Sequence, residues 1–183
     1  DLRGAVDRGE FVMHYQPIVT LKDRRIKGFE GLVRWQHPER GLISPANFIT
    51  VAEETGLIIP LGWWVMEQSC RQVRDWQLRF PMNPPIFISV NVSGRLFVDN
   101  HVVEGILDIL GRTGLPPESL RLEVTENVIL EHSEAVMAKM QQLRAMGVQL
   151  SIDDFGTGYS SLSYLQRFHY DTLKIDRSFV SGM

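Results

Sequence analysis

The sequence predicts an α/β fold whose strands close into a barrel wrapped by helices, and three features predict it. Short β-like runs alternate with helix-like runs along the chain, the pattern of repeated strand–helix units. Only Lys22-Asp23-Arg24-Arg25 separates the first two strands, too little for a parallel crossover, so these two should form an antiparallel hairpin. The later strands carry one steadily polar face, whereas a parallel sheet covered by helices on both sides reads as continuous apolar runs. A barrel reconciles the last point: its outer face packs on helices and its inner face converges on a site at the C-terminal ends of the strands.

Taken in order, the β-like runs are 11–21, 26–35, 85–93, 120–126, 148–154 and 172–180, and the helical runs lie near 45–55, 60–80, 98–113, 132–146 and 160–167. Pro45, after Ser44, and Pro60 suit first turns of helices. Gly114-Leu115-Pro116-Pro117 should stop one helix and Gly147 another. From Gly41 onward every connection between strands is long enough to carry a helix. Period-two reading then sorts the strands. Ile86, Ile88, Val90 and Val92 share one face, with Ser89 and Asn91 on the other. Leu120, Leu122 and Val124 oppose Arg121, Glu123 and Thr125; Val148, Leu150 and Ile152 oppose Gln149, Ser151 and Asp153. Leu173 and Ile175 oppose Thr172, Lys174 and Asp176.

The composition is that of an ordinary globular domain: 183 residues, 44% hydrophobic and 22% charged. With 19 Lys+Arg against 22 Asp+Glu and no basic block, the chain is not expected to bind polymeric nucleic acid or coat a membrane. The single cysteine, Cys70, excludes an internal disulfide framework and fits a reducing, cytoplasmic setting. The apolar run Gly56 to Met66 falls short of the roughly 20 residues needed to span a bilayer, although a longer protein could still be membrane-tethered. The chain opens Asp1-Leu2-Arg3-Gly4 without an initiator Met, as expected of a piece of something longer.

Strand parity points Glu30, Asn91, Glu123, Asp153 and Lys174 into one barrel mouth. Three carboxylates and an amide crowded together repel one another unless cations sit between them, and all-oxygen ligation favours Mg²⁺ or Mn²⁺ over zinc or copper. Asp153 and Asp154, neighbours on a strand, can both reach a metal only where the strand ends; Phe155-Gly156-Thr157-Gly158 should supply that turn. A bridging carboxylate among other ligands suits two ions about 3.5–4 Å apart, a device of phosphoester hydrolysis, with Lys174 holding the attacking water or neutralising the phosphate. The five histidines show no paired metal spacing, and Gly156-Thr157-Gly158 lacks the lysine of a phosphate-binding loop. Trp63-Trp64-Val65-Met66 with Cys70 reads as the apolar face of a helix, with Cys70 unreactive.

These residues sit in recognisable motifs. Glu30-Gly31-Leu32-Val33-Arg34-Trp35, followed by His37-Pro38 and by Gly41 to Pro45, resembles the signature of EAL-domain cyclic di-GMP phosphodiesterases. The resemblance extends through Tyr15-Gln16-Pro17, Val90-Asn91-Val92-Ser93, Leu122-Glu123-Val124-Thr125-Glu126-Asn127, Ile152 to Leu162 and Leu173 to Phe179, in family order across essentially the whole chain. It implies a modified TIM-type β/α barrel with an antiparallel first strand, and hydrolysis of cyclic di-GMP to linear pGpG with two Mg²⁺ or Mn²⁺ ions. By matching position it implies Glu30, Asn91, Glu123 and Asp153 as metal ligands, Asp154 completing the second metal site, and Lys174 contacting the catalytic water. Gln16, Leu32 and Arg34 match substrate-contacting positions, Arg34 suiting a phosphate. Asp153 to Ser161 resembles a mobile loop that couples metal binding to dimerisation, anchored by Glu126 with Thr125 beside it. A homodimer and fusion to sensory or diguanylate cyclase domains are further expectations.

Two departures stand out. The family's eponymous alanine is Gly31, expected to face away from the mouth and to cost some strand rigidity. The family also continues past the Lys174 motif to a glutamate that acts as general base and to a later glutamine motif, whereas this sequence stops at Met183. Eight-stranded barrels take about 250 residues. Residues 1–183 are therefore expected to be a C-terminally incomplete EAL domain lacking its last two strands, and not a competent enzyme alone. The alternative function is a non-catalytic cyclic di-GMP receptor; an enolase-like barrel metalloenzyme would need its base and ligands at other positions.

Overall fold

The computed structural model describes residues 2–131, 133–156 and 170–179. The chain begins its sheet with β1 (Phe11–Val19) running antiparallel to β2 (Ile26–His37), in register from Phe11 opposite Trp35 to Ile18 opposite Gly28. The first strand ends at Val19, two residues short of its expected end, and the six-residue connection closes tightly, with Arg24 at φ 55° and the Arg24 amide donating to the Thr20 carbonyl at 3.0 Å. A three-residue strand, β3 (Gly41–Ile43), folds back on the end of β2, a pairing too short to leave a periodic signal in the sequence.

After a 3-10 turn at Pro45–Asn47, α1 (Ile49–Thr55) and α2 (Ile58–Arg79) lead to β4 (Phe87–Asn91), which lies parallel to β2. Then come α3 (Gly94–Phe97), α4 (Val102–Thr113), β5 (Leu120–Thr125), α5 (Glu126–Glu131), α6 (Ser133–Ala145), β6 (Gln149–Phe155) and β7 (Thr172–Ile175). The sheet runs β1-β2-β4-β5-β6-β7, with β3 beside β2, and every step from β2 to β7 along that path is parallel. The expected strand–helix alternation and antiparallel opening are therefore present. The sheet is not closed: β1 and β7 are its two ends among the described residues.

The apolar parity faces form the core. Ile88, Val90, Leu120, Leu122, Val124, Leu150 and Ile152 are all essentially inaccessible and pack with Met66, Cys70 and Val73 of α2, Ile106 of α4 and Leu143 of α6. Each such side chain removed from water contributes about 1.5–3 kcal/mol, which is what holds the helices to one side of the sheet. Cys70 lies within this layer, and burial pushes its thiol up to about 12, in keeping with an unreactive core cysteine.

Several boundaries differ from expectation for local reasons. Pro60 sits in the first turn of α2, where its missing N–H leaves no bond unmade, but the helix already starts at Ile58. Pro45 opens a 3-10 turn rather than an α-helix. The helix expected over 98–113 starts only at Val102, as α4, and a separate short helix, α3, precedes that range: Ser93 Oγ accepts from the Leu96 amide to start α3, and Asp99 Oδ1 accepts from the His101 amide between α3 and α4. Gly114, at φ 68°, ends α4, as its sequence context predicts. The strand expected to reach residue 180 ends at Ile175, because Asp176 Oδ1 takes the Ser178 amide at 2.9 Å and turns the chain into a 3-10 turn at Arg177–Phe179. The helix expected near 160–167 lies outside the described residues.

Gly31 faces away from the mouth as parity requires, but its role is steric. A Cβ there would sit 2.7 Å from Ser69 Oγ of α2 and 3.2 Å from Met13 Cε. Ser69 is fully buried and its hydroxyl has no hydrogen-bond partner among the described residues. The glycine is thus what lets α2 approach β2 with a serine between them. Gly31→Ala should destabilise the protein by about 1–3 kcal/mol in urea denaturation. Ser69→Ala in the same chain should restore most of the loss, since it removes both the clash and an unpaired buried hydroxyl. Additive effects of the two substitutions would refute the coupling.

Candidate functional site

The polar faces of β2, β4, β5, β6 and β7 meet at the C-terminal ends of the parallel strands, and Lys174 is the centre of that meeting. Its ammonium lies 2.5 Å from Glu123 Oε2, 3.2 Å from Asp153 Oδ2 and 3.6 Å from Glu30 Oε2. Asn91 Nδ2 donates to Glu30 Oε1 at 2.9 Å, so the amide joins the cluster through Glu30. Glu123 is the most enclosed member: Ser89 Oγ donates to its other oxygen, Oε1, at 2.5 Å. Strand parity therefore places all five side chains correctly, and neighbouring register, Asn91 opposite Glu123 and Glu123 opposite Ser151, sets their heights.

Burial alone would lower the Lys174 ammonium, but the Glu123 hydrogen bond and the charges of Glu123, Glu30 and Asp153 outweigh it and hold the group above its ordinary value. Burial pushes the Glu123 carboxyl up, against the opposing pull of Lys174 and Ser89. The cost of enclosing Glu123 offsets much of what its contact with Lys174 contributes.

The Asp153-Asp154 doublet lies where β6 is ending, as expected: Phe155 is the last strand residue and Gly156 is in the turn that follows. β6 is also irregular there. Its register against β7 slips between Ile152, opposite Leu173, and Phe155, opposite Ile175, so three steps of β6 face two of β7. Asp154 takes φ 55° within this bulge, which breaks the strict alternation of the strand. Partial desolvation and the charges of Asp153 and Asp176 push the Asp154 carboxyl up, with Lys174 pulling the other way. Gly156, at φ 96°, follows immediately, and the Phe179 ring fills the space its Cβ would need.

The other candidate residues lie around this centre. Gln16 of β1 is directly opposite Glu30, on the same face. Leu32 borders a cavity of about 310 Å³ that opens where β2 leaves β4 to pair with β3; Asn91, Glu123 and Thr125 line its polar side, and Ile49, Ile58 and Leu61 its apolar side. Arg34 turns its guanidinium back on its own strand, donating to the Val33 carbonyl at 2.8 Å, and is not part of the carboxylate cluster. Thr125 is opposite Asp153 in the β5–β6 register. Glu126 is buried at the first turn of α5 and accepts the Gly156 amide at 3.2 Å, tying α5 to the start of the loop after β6. The part of the proposed loop beyond Gly156 lies outside the described residues.

Sequence reasoning missed two features here. Ser89 was placed on the inner face without a role, although a serine two residues before Asn91 on that face is the available signal. Glu126 was expected in a strand, yet it opens a helix. His37 is the last residue of β2, paired with Gly41, and its Nδ1 accepts the Glu39 and Arg40 amides of the turn that follows at 3.2 and 3.3 Å.

The donor set is what tests a divalent ion. Glu30, Asn91, Glu123 and Asp153 present only hard oxygen acceptors, which fit Mg²⁺ or Mn²⁺ and fit zinc or copper poorly. Among the described residues, no three His, Cys, Asp or Glu side chains are gathered tightly enough to hold an ion as they stand, and the Lys174 ammonium stands between the carboxylates.

A mouth of oxygen donors and one lysine, at the C-terminal ends of parallel strands behind an antiparallel hairpin, marks the chain as a member of the barrel-like α/β proteins. It belongs to the EAL domain family, whose model matches residues 1–183. MucR of Pseudomonas aeruginosa, a bifunctional diguanylate cyclase/cyclic di-GMP phosphodiesterase, is 43% identical over 191 residues, covering all of this chain and 26% of MucR. The solved MucR phosphodiesterase in complex with c-di-GMP superimposes with a TM-score of 0.94 at 45% identity, covering 99% of this chain and 72% of that one. The FimX EAL domain from Pseudomonas aeruginosa, bound to c-di-GMP, gives a TM-score of 0.86 at 25% identity, covering 98% and 71%. The chain spans 21%, 26% and 58% of the length of three curated relatives at 44–45% identity. No helix among the described residues is long and apolar enough to cross a membrane.

Proposed function

We propose that this domain hydrolyses one phosphodiester bond of cyclic di-GMP, giving linear pGpG, with Mg²⁺ or Mn²⁺ as cofactor. The observation that carries the reading is the convergence of Glu30, Glu123 and Asp153 on Lys174, with Asn91 held to Glu30. The two c-di-GMP-bound neighbours support the substrate. Glu30, Asn91, Glu123 and Asp153 would hold the ions, with Asp154 serving the second. The chemistry ions supply in such an oxygen cage is charge, which acidifies a water and offsets the phosphate. Lys174 gives up its contacts with the carboxylates and turns its ammonium to the water or the phosphate. Gln16, beside Glu30, and Leu32, at the cavity, position the substrate, and Arg34 releases the Val33 carbonyl to meet a phosphate oxygen. Glu126, with Thr125 beside it, anchors the loop after β6. A homodimer, a cytoplasmic setting and attachment to sensory or cyclase domains belong to the same proposal.

A second reading, a receptor that binds cyclic di-GMP without turnover, is favoured by one observation: the Lys174 ammonium already stands between Glu30, Glu123 and Asp153 and is paired with all three. Incubation of the full-length domain with cyclic di-GMP, with Mn²⁺ or with chelator, followed by chromatography, separates the two. Linear product that appears only with the ion is expected. Tight binding with no product under either condition would establish the receptor reading instead.

A further inference from the structure

We infer that Ser89 is a positioning residue that fixes the orientation of the Glu123 carboxylate as a metal ligand; this rests on the proposed ion-dependent site. Ser89 and Glu123 are 0% and 2% exposed, so the 2.5 Å bond from Ser89 Oγ to Glu123 Oε1 is made where water cannot replace it. Lys174 takes Oε2 at 2.5 Å, and the two donors together fix the plane of the carboxylate. The division of labour is set by register. On β4, Ser89 lies opposite Arg121 and Asn91 opposite Glu123, so Ser89 reaches the carboxylate from one step deeper in the sheet. The Ser89 bond is directed from below, away from the mouth, and it persists when Lys174 withdraws its ammonium. Without it, Oε1 would be an unpaired buried acceptor on a side chain with three rotatable bonds, and the carboxylate would turn.

Burial alone does not give a serine this contact. Ser151 of β6 lies opposite Glu123 in the register and is 2% exposed, yet its hydroxyl has no hydrogen-bond partner among the described residues. The pair of serines therefore forms a matched experiment: each substitution by alanine removes one buried oxygen beside Glu123, and only one removes a bond to it.

The test is Mn²⁺ binding to the purified chain by calorimetry, for the parent, Ser89→Ala and Ser151→Ala, with far-UV circular dichroism as the check of folding. Loss of an outer hydrogen bond to a metal ligand weakens binding by roughly 10–100-fold. Ser89→Ala should show that loss, and Ser151→Ala should bind within about twofold of the parent. In turnover by the full-length domain, Ser89→Ala should need correspondingly more Mn²⁺ for half-maximal rate, with activity recovered at excess ion. Equal affinity of Ser89→Ala and parent, or an equal loss in both variants, would overturn the inference while leaving the ion-dependent site intact. A parent that takes up no Mn²⁺ would overturn the site itself and the inference with it. Should Ser89→Ala lose its fold, Ser89→Thr, which keeps the hydroxyl, must bind as the parent does for the inference to stand.

Discussion

In the full-length domain, Glu30→Ala and Asp153→Asn should each abolish ion-dependent hydrolysis of cyclic di-GMP while leaving the fold in place. Asp153→Asn is the cleaner of the two. It keeps the shape of the side chain and removes one negative oxygen from the group around Lys174, where Asp153 Oδ2 lies 3.2 Å from the ammonium. Glu30→Ala also strands the Asn91 amide, which has Glu30 Oε1 as its partner. A supporting residue behind a metal ligand is worth roughly 10–100-fold in affinity or activity, so loss of the ligand itself should cost a hundredfold or more. Product formation at saturating Mn²⁺, read beside circular dichroism, measures the effect. Turnover retained in Asp153→Asn would remove Asp153 from the site and with it the metal reading of this mouth.

Lys174→Met should destabilise the ion-free protein by about 3 kcal/mol near neutral pH, the lower end of what breaking a buried pair costs. The lower end applies because the Lys174 side chain is 30% exposed, while its partner Glu123 is 1% exposed and left uncompensated. The loss depends on pH, and its sign follows from Glu123. Burial holds the carboxyl above its ordinary value of 4.5 even with Lys174 present; without the ammonium, the Ser89 hydrogen bond and the charge of Arg121 are left to oppose that rise. A carboxyl raised in the folded state binds its proton more tightly there than in the unfolded chain. The stability it contributes is present below the unfolded value and lost as pH rises through the folded one. The deficit of Lys174→Met should therefore be small near about pH 4.5 and grow toward about pH 7.5, as measured by urea denaturation at the two conditions. Equal deficits at both would show that Glu123 does not sense Lys174.

Much of this architecture is written locally. The alternation Ile88, Val90 against Ser89, Asn91, and its counterparts in β5 and β6, follows from the two-residue period of a strand, which needs no knowledge of what packs against it. The antiparallel opening follows from a connection too short for a parallel crossover. For the same reason Glu30, Asn91, Glu123, Asp153 and Lys174 could be put on one side of one sheet before any contact was known.

What parity could not supply is height, partner and closeness, because these are set by register and by helix packing between segments distant in the chain. Lys174 becomes the centre of the carboxylates through contacts spanning 51 residues to Glu123 and 21 to Asp153. The bulge that gives Asp154 φ 55° is a mismatch between β6 and β7, invisible in either strand alone. Gly31 looks like a loss of rigidity in the sequence and is a close approach in space, because Ser69 arrives from α2. The sequence by itself determined which face of each strand bears the chemistry, since that is a property of the backbone period. Tertiary structure decided which of those groups touch, and that Ser89 rather than Ser151 holds Glu123, since only the packed sheet sets distances between strands.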